Sequence, residues 1–114
     1  MAKSDSAIVP GRNLDEPQAD LPIVSVPTEY RLYQNYPNPF NPVTEIRFDL
    51  PEVARVELKV FNTLGQLVAT LLSEERPAGV YTVSWDASHA ASGMYIYQLK
   101  AGGFVDAKKM ALIR

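Results

Sequence analysis

Cysteine is absent from the 114 residues, which removes disulfides, thiol nucleophiles and zinc–thiolate sites together. No apolar run approaches the length of a membrane-spanning helix. The opening MAKSDSAIVPGRN lacks the apolar core of a secretory signal, so for an exported chain that signal is expected further upstream in a longer parent. An excess of positive charge is missing too. The net charge is −2, and residues 29–114 hold nine basic and nine acidic side chains. Nothing there tracks a phosphate backbone, and nucleic acid is not an expected partner.

Aromatic residues are missing from the first 28 positions, since every phenylalanine, tyrosine and the tryptophan lies at or after Tyr30. The same 28 residues hold four prolines (Pro10, Pro17, Pro22, Pro27) and four acidic residues against Lys3 and Arg12. Such a stretch buries too little apolar surface to offset the entropy of ordering it. Residues 1–28 therefore read as an extended linker and residues 29–114 as the folded unit, with room for one core. Within the linker, Leu21–Val26 (LPIVSV) is strand-prone and suited to adding to a sheet edge. The chain is expected to be a monomer.

What is present is strand periodicity. Thr44–Leu50 places Ile46, Phe48 and Leu50 on one face and Glu45, Arg47 and Asp49 on the other. Ala54–Phe61 repeats the alternation with Val56, Leu58 and Val60, and Asn62–Gln66 supplies a hairpin turn. Leu67–Leu72 follows as a short apolar strand, and Val80–Trp85 puts Tyr81, Val83 and Trp85 on one side. Asp86–Gly93 is small and polar, with Asp86 placed to cap one helical turn. Met94–Leu99 and Phe104–Ile113 form a last hairpin, turned at Gly102-Gly103. About seven short strands with turns roughly every ten residues predict an all-β, immunoglobulin-like antiparallel sandwich, with a partly open barrel as the structural alternative.

Ahead of these strands stands Leu32–Pro42, LYQNYPNPFNP. Its three closely spaced prolines forbid regular helix and remove ladder donors, while Asn38 and Asn41 suit side-chain-supported turns. The segment reads as a structured lid, with Tyr36, Pro37 and Phe40 over one end of the sandwich. An exposed aromatic-proline docking surface is the competing reading, and Tyr36-Pro37 is a candidate cis bond.

Catalytic chemistry has little material. The single histidine, His89, lies three residues after Asp86, among Ser84, Ser88 and Ser92. Turn chemistry accounts for this cluster better than a triad does. No cofactor, metal-ligand set or enzymatic activity is expected.

Five segments in order, LYQNYPNPFNPVTEIRFDLPE, VFNTLGQLVATLL, PAGVYTVSWDAS, ASGMYIYQLKAGGF and KKMALIR, resemble the C-terminal sorting domain of the type IX secretion system. They are also similar to the related immunoglobulin-like domain of the flagellar hook-capping protein. The resemblance runs from about Leu32 to Arg114. It implies a non-catalytic signal that delivers an upstream cargo from the periplasm to an outer-membrane translocon. In many members a surface sortase then removes the domain and attaches the cargo to an anionic lipopolysaccharide, so the implied partners are translocon, sortase and cargo. The implied destination is the cell surface or the medium.

Residue by residue, the family's turn motifs fall on Gly79 with Tyr81 and on Gly93 with Tyr95. Glycine two positions before tyrosine suits a tight turn followed by a packed ring, and packing is favoured over receptor contact. In the terminal strand, Met110 and Leu112 suit the core, while Lys108, Lys109 and Arg114 read either as edge protection or as charges offered to another protein. The resemblance favours recognition, with all five residues as its candidate determinants. A competing function is a structural or adhesive module with Tyr33, Tyr36, Phe40 and Tyr97 as a stacking platform.

Overall fold

Alternation along Val43–Leu50 sets the first long strand, because every second side chain there (Thr44, Ile46, Phe48, Leu50) is withdrawn from solvent and a pleated backbone sends those residues to one face. The computed structural model describes residues 26–114. The linker expected over residues 1–28 and the edge-pairing segment Leu21–Val26 lie outside these, apart from their last residues.

Seven strands follow one another: β1 (Arg31–Leu32), β2 (Val43–Leu50), β3 (Ala54–Asn62), β4 (Leu67–Arg76), β5 (Gly79–Asp86), β6 (Gly93–Ala101) and β7 (Phe104–Leu112). They form two antiparallel sheets, ordered β1-β2-β5 and β4-β3-β6-β7. The second strand pairs with the fifth and the third with the sixth, the crossed connectivity of an immunoglobulin-like sandwich. The fold is all-β, as the strand periodicity predicts.

One apolar core joins the sheets. Ile46, Phe48 and Leu50 from one meet Val56, Leu58, Val60, Tyr97, Leu99 and Met110 from the other, all essentially inaccessible to solvent. Aromatic contacts close its ends. Phe48 stacks on Tyr81 (centroids 5.4 Å apart), and Trp85 meets Tyr95 edge-on at 5.5 Å and Phe40 at 5.7 Å. At the far end Tyr30 stacks on Phe104 at 5.3 Å.

Three local expectations change. β4 runs on through Ser73–Arg76, which pair with Glu57–Ala54. A ladder is made by backbone, and on an edge strand polar side chains remain in water. The stretch after Asp86 is a turn rather than a helical one: the Ala90 amide donates to the Ala87 carbonyl (3.0 Å), and the Asp86 carboxylate accepts from the Ser88 amide (2.9 Å). An acidic side chain used two residues along competes with helix formation. Asp49 keeps its place on the outer face of β2 but is buried, because Tyr33 lies over it and donates to its carboxylate at 2.6 Å.

Candidate recognition surface: the clasped terminal strand

β7 is held on its inner side by a full ladder to β6, from Ala101 opposite Phe104 to Gly93 opposite Leu112. The pleat sends Met110 and Leu112 into the core, where they are 0% and 2% exposed. Lys109 points to the outer face and is exposed. Lys108 shares the inward parity of Met110 but sits half-buried at the sandwich margin. Beyond the strand, Ile113 and Arg114 are exposed, and the Arg114 guanidinium donates to the Ser88 carbonyl.

The outer edge of β7 would present unpaired amides and carbonyls, a template for foreign strands. The proline-rich segment occupies part of it. Phe40 forms a parallel bridge with Leu112: its amide donates to the Ala111 carbonyl and its carbonyl accepts from the Ile113 amide, both at 2.9 Å. The Asn38 side chain accepts from the Ala111 amide (3.0 Å), and the Gln34 side chain donates to the Lys109 carbonyl (2.8 Å). Nearer the turn, the Asp106 carboxylate accepts from the Ala107 amide (2.8 Å). The segment is thus a structured lid with the terminal-strand edge as its seat, but of Tyr36, Pro37 and Phe40, expected over the sandwich end, only Phe40 is buried there. Phe40 is buried and Tyr36 is 80% exposed. The bonds from Tyr36 to Pro37, Asn38 to Pro39 and Asn41 to Pro42 are cis.

Buried polar groups fix the lid from beneath. The Tyr97 hydroxyl accepts from the Asn35 amide (2.8 Å) and donates to the Tyr33 carbonyl (2.7 Å). Asn35 donates through its side chain to the Thr44 hydroxyl (2.9 Å) and the Pro37 carbonyl (3.1 Å), and Thr44 donates to the same carbonyl (2.9 Å). The side chains of Asn35, Thr44 and Tyr97 thereby each have a partner. Burial pushes the Tyr97 hydroxyl up to about 12, against the hydrogen bond from the Asn35 amide.

These contacts dismantle the aromatic stacking platform. Phe40 and Tyr97 belong to the core, since one covers the sandwich end and the other spans it to reach the lid. Tyr33 has guanidinium groups over its ring, from Arg47 at 4.3 Å and Arg31 at 5.2 Å. Tyr36 alone of the four stays open.

The two glycine–tyrosine motifs share one geometry. The Tyr81 hydroxyl donates to the Pro77 carbonyl and the Tyr95 hydroxyl to the Ala91 carbonyl, each at 2.6 Å and each four residues back. Between them sit Gly79 (φ +157°) and Gly93 (φ +148°), values that side-chain-bearing residues rarely adopt. Each motif is a corner in which tyrosine bonds back across the turn, as in immunoglobulin-like domains generally. Tyr81 packs on Phe48 and Tyr95 on Trp85.

Around His89 the geometry is that of a turn. The Asp86 carboxylate takes both the amide and the hydroxyl of Ser88. These hydrogen bonds hold it below the usual carboxylate range, with smaller help from the charges of His89 and Arg114. Beside it lies an open cleft lined by Val68, Trp85 and Ala87.

The class of protein is therefore a small immunoglobulin-like β-sandwich whose last strand is latched by the proline-rich segment around Phe40. A family model described as the secretion system C-terminal sorting domain matches residues 34–113, and the chain belongs to that family, the sorting domains of the type IX secretion system. No curated protein matches the chain. Among solved structures it is similar to PorZ, an essential bacterial surface component of the type IX secretion system of Porphyromonas gingivalis. The likeness has 23% identity and a TM-score of 0.50, over 75% of this chain and 11% of that one, and it bears on the fold. Family membership makes the domain a sorting signal and implies export to the cell surface or extracellular space. The family is one of non-catalytic signals.

Proposed function

We propose that residues 29–114 act as a folded export signal for a cargo upstream, that the outer-membrane type IX translocon takes up this domain as a monomer, and that a surface sortase then removes it. Lys108, Lys109 and Arg114 are the charges the translocon reads. Met110 and Leu112 serve indirectly, by anchoring the strand that presents them. The observation that carries the reading is the family match over residues 34–113, which takes in both the lid and the strand it clasps.

The test is the full chain fused behind a reporter with its own secretory signal, in a host that has the type IX machinery. The reporter is expected at the surface or in the medium, released from the domain where sortase acts. Reporter that stays in the periplasm on a folded fusion would sink the proposal. Deleting Lys108–Arg114 is a poor probe, because it strips two core residues along with the charges. Changing Lys108, Lys109 and Arg114 together to serine leaves the core intact and is expected to reduce export without unfolding the domain.

A further inference from the structure

The outer face of the four-stranded sheet is not uniform from end to end. Strand register lines its outward side chains into transverse rows. Near the β6–β7 turn the row is Ser73, Glu57, Lys100 and Val105, and the next is Thr70, Lys59, Gln98 and Ala107. These are what a solvated sheet face carries. The row at the other end is Leu67, Phe61, Ile96 and Lys109, flanked by Met94 opposite Ala111 and by Ile113.

Leu67, Met94 and Ile113 are 56%, 46% and 52% exposed. Phe61, Ile96 and Ala111 are half-covered, with these neighbours beside them. A contiguous apolar patch on a solvated sheet face marks an interaction site. Lys109 stands in its row, without a carboxylate partner among the described residues. The outward acidic residues of this sheet, Glu57 and Glu75, belong to the opposite end.

We infer that this patch is a docking surface for a protein partner whose matching face is apolar and bears a carboxylate opposite Lys109. The inference rests on the sorting reading and names the surface that performs it, the partner being a component of the outer-membrane translocon. Charge complementarity favours such a protein over a lipid surface, which needs clusters of four or more basic residues, whereas this row holds one.

Binding of the full chain to the purified, detergent-solubilised type IX translocon tests this. Met94→Asp and Ile113→Asp, at half-exposed positions outside the core, are each expected to weaken binding about tenfold or more, as central contacts of an interface do. Lys109→Glu is expected to weaken it as well, and Lys59→Glu, in the neighbouring polar row, to leave it unchanged. Each variant is first shown to keep the wild-type melting temperature. Wild-type affinity in Met94→Asp and Ile113→Asp overturns the inference and leaves the sorting reading standing, as does a wild-type chain that is exported yet does not bind. A chain neither exported nor bound overturns both. Equal binding to protein-free vesicles of outer-membrane lipid, or self-association abolished by the same substitutions, overturns the choice of partner.

Discussion

The amide of Phe40 donates to the carbonyl of Ala111 at 2.9 Å, tying a segment near the start of the fold to the strand that ends it. The bond explains why a terminal strand with an open side can stay in place. Its edge is already engaged by Phe40, Asn38 and Gln34, so a partner that adds a strand there must first displace the lid.

Phe40→Ala should remove the lid's anchor. The ring is 1% exposed and packs on Trp85, and truncating a buried phenylalanine costs about 3–5 kcal/mol. Denaturant titration measures that loss. Hydrogen exchange should show faster exchange at the Ile113 amide, and unchanged protection there would mean the clasp does not hold the strand.

Asn38→Ala isolates the edge bond from the core. It removes the acceptor for the Ala111 amide and is expected to cost about 1 kcal/mol, the usual net worth of one hydrogen bond. Faster exchange at Ala111 with little change in melting temperature is the expected result.

Tyr97 links the fold to alkaline pH. Its hydroxyl is pushed up to about 12 from the usual 10.0, so the folded state holds that proton where the unfolded chain has released it. This contribution is complete below pH 10 and is lost as pH rises toward 12, by about 2–3 kcal/mol for a two-unit difference. Tyr97→Phe should flatten that limb of a stability–pH curve. It also leaves the Asn35 amide and Tyr33 carbonyl without their partner, at about 1–3 kcal/mol near neutral pH.

Gly93→Ala places a side chain at φ +148°, with an expected loss of about 1–3 kcal/mol from backbone strain. Space is not the reason, since nothing lies within 4 Å of where the methyl group would stand. Tyr95→Phe, which keeps the ring and removes the bond to the Ala91 carbonyl, should lose about 1 kcal/mol. Comparing their melting temperatures separates strain from hydrogen bonding at the same corner.

Much of this domain is legible in its sequence because the signals are local. Alternation in Thr44–Leu50 and Ala54–Phe61 fixes which side chains face the core, since a strand has a period of two whatever it pairs with. Glycine before Tyr81 and Tyr95 announces corners for a similarly local reason. Met110 and Leu112 are legible as core residues from alternation and apolar character together, since Lys108 shares their parity but stays at the margin. Tertiary structure decides what depends on distant partners. Asn38 meets Ala111 across 73 residues, Tyr97 becomes the post beneath the lid, and Asp49 is buried under Tyr33. The apolar row takes one residue from each of three strands, Leu67, Phe61 and Ile96, and ends on Lys109 of the fourth. No single strand displays it, because register between strands is set by their pairing in the folded sheet.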